Sequence, residues 1–331
     1  MKGKRFPLPQ REHTDPADPG RKPIAAAQLL ADLRTRGPAP QQGELIRFGC
    51  VGQRDVYNIT APFSVAGQTV IAGRVEARHS ELAETVFFVA GADGIWRPCP
   101  GAPTFAKLQD PCIAFIGGEL VLGGVEFPVQ VPGRDAPGWR MSFYRGKSLD
   151  SLRLFLQGPD HMKDIRLVEL AKGRVGVCSR PQGERGGRGQ IGFAVVDRLD
   201  QLTGAAIDAA PLLTGQFLPE EWGGANQLHL LDDGRIGVLG HIAWMRGAGP
   251  TEEKHYYPMA FILDPQTGAH SALKIIASRD DFPTAPPKRP GLRDVIFSGG
   301  LQRQSGGAWL YAGLGDAAAG RVRIADPFGE D

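Results

Sequence analysis

The sequence predicts an all-β protein, a five-bladed β-propeller preceded by a short N-terminal helix and a polar arm. Three observations predict it. Gly and Pro number 45 and 27 among 331 residues, well above ordinary usage, so turns must be frequent. After Gly43 the chain becomes short β-branched and aromatic runs separated by G-G, D-G or P-x-x-G, which is the pattern of strands and hairpins. One hairpin pattern also recurs five times, and a fixed period sets the architecture before any single strand is placed.

Taken in order, Met1 to about Gly20 is polar and Pro-rich and reads as an arm. Ile24 to Arg36 has helical apolar spacing and strong helix formers, and is the one convincing amphipathic helix. Residues 1–44 therefore form arm and helix, and 45–331 the propeller. The five hairpin copies are APFSVAGQTVIAGRV, DPCIAFIGGELVLGGV, DIRLVELAKGRVGVCSR, NQLHLLDDGRIGVLGHI and GGLQRQSGGAWLYAGL. Further strand-like runs follow several of them: TVFFVA with GIWRPC, MSFYRG with LRLFLQG, QIGFAVVD, and YYPMAFILD. Four strands per unit make a blade. Polar anchors at Asp55, Asp110 and Asp164 fall about 55 residues apart, near the period of some propellers. Later units are lengthened by the loops Arg246–Lys254 and Ala277–Arg293, the places where propellers build pockets.

Composition narrows the function. Apolar residues are 42% and charged residues 22% of the chain, which excludes wholesale disorder. No apolar run reaches about 18 residues, and the basic start lacks the apolar stretch of a secretory signal, so a cytoplasmic protein that neither enters nor binds a membrane is expected. Lys and Arg total 38 against 36 Asp and Glu, a formal charge of +2, which gives no broad field for nucleic acid. Cys50, Cys99, Cys112 and Cys178 are widely separated, suiting buried thiols better than a zinc site or a disulfide frame. No metal is expected.

In a small propeller the innermost strands converge on the axis, so a polar residue at the start of each faces one shared funnel. These positions are Asp55 with Asn58, Asp110, Asp164 with Arg166, Asn226, and Ser298. Just beyond the second strands stand Arg74, Glu76, Arg180, His241 and Asp316. The set has no G-x-S-x-G elbow and no nucleotide loop. Carboxylates and amides with Trp222, Trp244, Tyr256 and Tyr257 suit a sugar, which needs bidentate acceptors for hydroxyls and flat apolar faces for its C–H surfaces. Some positions have structural readings. Asp294 reads as a strand-edge cap for backbone amides, and Glu184 to Gly189 (ERGGRG) as a hairpin loop.

The segments GRVEAR, GPDHMKDIRLVEL, RPQGERGGRGQIGF, EEWGGANQLHLL, GHIAW, HYYPMAFILD, KRPGLRDVIFSGGL and YAGLGDA resemble the mannosyltransferase and phosphorylase family of β-1,2-mannan (mannogen) metabolism. That family is similar in turn to the five-bladed β-mannoside phosphorylases of the glycoside hydrolases. The resemblance spans about Phe48 to Phe328. It implies that Asp110, in Asp110-Pro111, is the general acid and that Asn58 and Asp316 grip the reacting mannosyl unit. Asp55, Arg74, Asp164, Asn226 and Tyr256 join them as expected sugar contacts. Phosphate would be held by Arg166, Arg180, His241 and either Arg140 or Arg145. Two departures stand out: Cys112 replaces the Arg that usually follows Asp-Pro, and EEWGGAN holds no phosphate-cradle lysine.

The resemblance implies phosphorolysis of a β-1,2-mannoside to mannose 1-phosphate, and the reverse synthesis. Inorganic phosphate is the co-substrate and no other cofactor is expected. A phosphorylase needs one acid and cations for its anionic nucleophile. An inverting hydrolase needs a second carboxylate about 6.5–9.5 Å from the acid, and Glu76, Glu220 and Glu221 are the candidates. A transferase would use a sugar nucleotide, and a binding propeller would need no acid. The expected partners are a mannoside or oligosaccharide and phosphate or a sugar phosphate. The Ile24–Arg36 helix packs either on a second subunit in a homo-oligomer or on its own blade.

Overall fold

The computed structural model describes residues 22–37, 39, 42–131, 133 and 135–329. The expected arm lies outside the described residues. The chain is nearly all β, with helices at Ala26–Thr35 and Gly204–Asp208 and a few single turns of 3-10 helix. Among the described residues no helix is long and apolar enough to cross a membrane.

All five hairpins form. Strands Arg54–Tyr57, Gln68–Ala77, Ala83–Ala90 and Trp96–Pro98 pair in succession, with short Phe63–Val65 and Phe105–Ala106 added, giving a six-stranded sheet. Leu108–Ile116, Glu119–Val129, Gly138–Gly146 and Arg153–Gln157 make a four-stranded sheet. Arg166–Glu169, Val175–Ser179 and Gly192–Val196 make a three-stranded one. The remaining sheet has eight strands in two halves. Trp222–Leu230, Ile236–Arg246, Glu253–Leu263 and Lys274–Ile275 form one half, and Asp294–Gln304, Gly307–Leu314, Ala318–Ile324 and Glu44–Leu45 the other. Among the described residues the halves pair as strands only where His255 and Tyr256 run parallel to Asp294 and Val295.

The core consists of apolar layers between neighbouring sheets. Val70 and Phe87 pack with Leu108, Leu120 and Leu122; Met141 and Phe143 pack with Ile165, Leu167 and Val177. Cys178 and Phe193 join Leu239, Ile242, Met259, Ile296 and Leu310, and Tyr311 and Ala319 pack on Val56, Ile71 and Phe88. The last contact returns to the first sheet, so the layers close into the ring of a β-propeller. Glu44 pairs with Arg321 and Leu45 with Gly320, which covers the outer edge of the last sheet.

Two local features differ from the sequence reading, the fourth strand of the third sheet and the exposure of Cys50. The outer strand expected after Gly192–Val196 is replaced by a helix turn, the Gly204–Asp208 helix and a single bridge from Gly192 to Leu212, because DRLDQLTGAA carries almost no β-branched residues. That second helix starts at Thr203, whose hydroxyl accepts from the Ala206 amide at 3.2 Å, a side-chain cap. The thiol of Cys50 is exposed, although Cys99, Cys112 and Cys178 are buried. The first helix rests on its own chain, with Ala26, Leu29 and Leu30 in the large core. Its first amide, on Ala26, donates to Glu221 Oε1 at 2.7 Å, and Leu218 N donates to the other oxygen at 3.2 Å.

Candidate active site

A cavity of about 560 Å³ opens at the axis, and Asn58, Arg74, Asp110, Arg180, His241, Tyr256 and Asp316 line it. Local backbone geometry aims the polar side chains in and beneath it. Asn58, Asp110, Asp164 and Asp316 have φ of 45°, 49°, 59° and 54°, the left-handed region that Asn and Asp tolerate better than other residues with side chains. At Asp110-Pro111 the inner strand also slips register against its neighbour between Gln109 and Cys112. Such a bulge leaves a residue unpaired and re-aims it, and Pro111, having no N–H, loses nothing there. Similar slips flank Asn226 and Gly299.

Around the acid, Asn58 Nδ2 donates to Asp110 Oδ1 at 2.8 Å and Arg74 Nη1 donates to the same oxygen at 3.2 Å. Among the described residues Oδ2 has no protein donor, leaving it for a ligand. Gly313 makes this arrangement possible, because a Cβ there would stand 2.0 Å from Asn58 Oδ1. Arg74 also donates from Nε to Glu76 Oε2 at 3.0 Å, and the Tyr57 hydroxyl donates to Glu76 Oε1 at 2.9 Å. Asp316 shares this end of the cavity. Burial pushes its carboxyl above the ordinary range and the charge of Asp110 adds to that, against the pull of Arg74.

Beneath the cavity lies a buried polar floor. Asp164 is ion-paired with Arg180 Nη1 at 3.4 Å and Arg166 Nη2 at 3.8 Å. Burial pushes its carboxyl up, but Arg180 leads a set of neighbouring positive charges that prevails and holds it below the ordinary value. Arg180 Nε donates to Gly223 O at 2.8 Å and Arg166 Nε to Asn226 O at 2.7 Å. Gly224 keeps this cluster close, since a Cβ there would lie 2.9 Å from both Arg180 Cδ and Asp164 Cβ. His241 Nδ1 meets Asn226 Oδ1 at 2.8 Å and its ring stacks on Tyr256, centroids 5.5 Å apart. Burial drives its pKa down to about 3, so His241 is a neutral imidazole.

The structure thus gathers Asp110, Asn58, Arg74, Arg180, His241, Tyr256 and Asp316 at the cavity, with Asp164, Arg166 and Asn226 in the layer beneath. Asp55 and Arg145 stand elsewhere. Asp55 is held by Arg78 at 2.5 and 2.7 Å. Arg145 pairs with Asp200 at 2.7 Å and covers the Phe155 ring on an outer strand; strand alternation turns it away from the axis. Arg140 lies 3.4 Å from Asp160 and does not line the cavity either. Ser298 is buried and donates to Gly240 O at 2.7 Å.

Among the aromatics, Trp222 and Tyr256 line the cavity, with the Trp222 indole donating to the Tyr256 hydroxyl at 3.1 Å. Trp244 and Tyr257 stack on each other instead. Asp294 accepts from His255 Nδ1 at 2.6 Å and from the Tyr257 hydroxyl, so its partners are side chains and not the strand amides. Of the glutamates considered as hydrolytic bases, Glu76 is enclosed by donors, Glu221 caps the helix, and Glu220 is exposed outside the cavity.

The sequence reading passed over several cavity residues. Lys163, Arg188, Lys254 and Arg289 supply cations, and Trp139 and Phe127 apolar surface. Among the described residues Lys163 makes no hydrogen bond or ion pair, though its charge acts on Asp164, His241 and Asp316. Arg188 lies over the Trp222 ring at 5.1 Å. Lys163 adjoins the anchor Asp164, and that adjacency was the signal for it; Arg188 lies in the ERGGRG loop, where nothing in the residue pattern marks it.

The family model described as "Protein of unknown function (DUF1861)" matches residues 35–330. None of the curated proteins compared with the chain matches it. Among solved structures, the mannose phosphorylase MPT-4 from Leishmania mexicana, in complex with a phosphate ion, is 35% identical, with a TM-score of 0.83 over 91% of this chain and 93% of its own. MPT-1, a GDP-Man-dependent mannosyltransferase from the same organism, is 31% identical, with a TM-score of 0.82 over 92% of this chain and 96% of its own. The β-1,2-mannobiose phosphorylase from Listeria innocua is 14% identical with a TM-score of 0.57 over 96% of each chain, a likeness of fold.

Proposed function

The chain belongs to the DUF1861 family, and from that membership and the cavity's chemistry we propose that it is a mannoside-active enzyme that cleaves β-1,2-linked mannosides by inverting phosphorolysis. The observation that carries the reading is that Asp110 shares its cavity with several cations, among them Lys163, which makes no hydrogen bond or ion pair among the described residues. A water nucleophile has no use for such cations; an anionic one needs them for positioning. The likeness to a mannose phosphorylase in complex with a phosphate ion supports the choice of anion.

In this reading Asn58, Arg74 and Asp316 hold the mannosyl unit, and Asp110 in its protonated form delivers a proton through Oδ2 to the glycosidic oxygen. The C1–O bond breaks as an oxygen of hydrogen phosphate attacks C1 from the other face. The products are the shortened saccharide and α-mannose 1-phosphate, and the proton released from the phosphate restores Asp110. Lys163 and Arg180 balance the phosphate charge. Neutral His241, with Nδ1 engaged by Asn226, accepts the phosphate hydroxyl at Nε2. Trp222 and Tyr256 offer flat faces to the sugar. We also read the propeller as five-bladed; the strand pairing of only two residues between the halves of the eight-stranded sheet supports counting them as two blades.

A second reading, mannosyl transfer from a sugar nucleotide, is favoured by the 31% identity to a GDP-Man-dependent transferase and by the further cations Arg188, Lys254 and Arg289. The test is incubation of wild type and Asp110→Asn with β-1,2-mannobiose, with and without phosphate, and separately with GDP-mannose plus mannose. Mannose 1-phosphate formed from mannobiose only with phosphate, and lost in the variant, supports phosphorolysis. Consumption of GDP-mannose alone supports transfer, and free mannose without phosphate supports hydrolysis.

A further inference from the structure

Arg74 reaches Asp110 with one nitrogen only; its Nε and Nη2 are turned to Glu76, which is 1% exposed, and Glu81 lies 3.5 Å from Nη2. Glu76 is itself enclosed. Besides Arg74 and Tyr57 it receives the ammonium of Lys288, a residue more than two hundred positions away in the loop before strand Asp294–Gln304. Lys288 has a side chain only 6% exposed and also donates to Ser80 O at 2.6 Å and Glu81 at 3.2 Å. Charges therefore alternate along one line: Lys288, Glu76, Arg74, Asp110.

The backbone of Lys288 reaches the second cavity carboxyl. Its N–H donates to Gly315 O at 2.8 Å, the residue before Asp316. Gly315 has φ of 59°, and a Cβ there would lie 2.9 Å from Pro287. Arg78, oriented by Asp55, donates to Pro287 O at 3.5 Å, and Arg289 stands 3.8 Å from Glu81. The loop is thus fastened across the first sheet at three consecutive residues. A guanidinium is a planar fork, so fixing the edge that carries Nε and Nη2 fixes where Nη1 points. Without Lys288, Glu76 would keep the Tyr57 hydroxyl but have Arg74 as its one cation, and would draw it from Asp110.

We infer that Glu76 and Lys288 are positioning residues, which aim Arg74 at the acid and tie Asp110 and Asp316 to one loop. The inference rests on the phosphorolysis reading for its assay. Asp55, expected to touch sugar, acts here through Arg78 as an anchor of the loop.

The test compares full-length wild type with Lys288→Met, Glu76→Gln, the double variant and Lys288→Arg, measuring kcat and both KM values for mannobiose and phosphate, with circular dichroism to establish folding. Each single removal is expected to lower kcat about ten- to hundredfold, the scale of a misplaced catalytic contact, with both KM values within about twofold of wild type. The double variant is expected to lose no more than the worse single one, because one chain of contacts is broken in either case. Lys288→Arg keeps the charge, is expected to fold even if Lys288→Met does not, and to retain most of kcat. A folded Lys288→Met or Glu76→Gln protein at wild-type kcat, additive losses in the double variant, or an equal fall in Lys288→Arg would overturn the inference. A wild type that does not phosphorolyse mannobiose counts against the functional reading instead; the same variants are then compared with GDP-mannose as donor.

Discussion

Asn58 and Asp110 belong to adjacent sheets, yet the amide of one donates to the carboxylate of the other at 2.8 Å, and both residues have left-handed backbone. The contact ties the first two hairpins together at the axis and occupies one oxygen of Asp110. Asp110→Asn keeps the shape and removes the transferable proton. Its kcat on an unactivated mannoside should fall by about 10²–10⁴-fold, the usual contribution of a general acid, while sugar binding measured by calorimetry stays near wild type.

The cations make a separable prediction. Lys163→Met should raise the KM for phosphate about tenfold or more, since hydrogen bonds to charged groups contribute roughly 1.5–3 kcal/mol, with the KM for mannobiose little changed. Initial-rate matrices in both substrates distinguish this from a general loss of binding.

The floor carries stability. Asp164 and Arg180 are 2% exposed and ion-paired. Removing one member leaves a buried charge uncompensated, so Asp164→Asn should cost about 3–5 kcal/mol at neutral pH, read by denaturant unfolding. The pH dependence has a definite sign. Asp164 is held below its ordinary value, so its contribution is present above the unfolded-state pKa of about 3.9 and is lost as the pH falls through the folded value. The difference between wild type and variant should therefore shrink in acid.

Asp316 should behave in the opposite way. Its carboxyl is raised by burial and by Asp110, so the folded state favours the protonated form and stability is lost as pH rises through the folded value. Asp316→Asn should be at least as stable as wild type at neutral pH while losing activity, the exchange of stability for function expected at a strained site. Melting curves at pH 4 and pH 8 check the sign: the gain belongs at pH 8.

Glu221 is predicted to be structural. Its carboxylate holds Ala26 N and Leu218 N, so Glu221→Ala should lower stability by about 1 kcal/mol, as for loss of a helix cap, and leave kcat of the folded enzyme within about twofold. A large fall in kcat at unchanged stability would return Glu221 to the catalytic candidates.

How much of this was legible in the residues depended on period. The five hairpins were, because β-branched runs and Gly turns repeat along the chain. Asp110 and Asp164 were, because they start inner strands. Asp55 was misplaced because the alternation of a strand sends a residue to the axis or away from it, and a bulge or one extra turn residue reverses the assignment; Arg140 and Arg145 were expected from the resemblance alone, and neither lines the cavity. The first-sheet anchor is Asn58, which shares the left-handed backbone of Asp110, and not Asp55. Lys288 and Glu76 meet only because the ring closes, bringing together positions no local pattern connects. The helix cap by Glu221 was hidden in the same way, and the neutral state of His241 follows from burial, which composition does not reveal.

The most direct measurement is the phosphorus and proton NMR spectrum of the first product formed from β-1,2-mannobiose and inorganic phosphate. The account predicts α-mannose 1-phosphate as the initial product, with its appearance dependent on phosphate and absent in Asp110→Asn. Free mannose in place of the sugar phosphate, or the β-anomer as first product, would contradict a single displacement by phosphate assisted by Asp110.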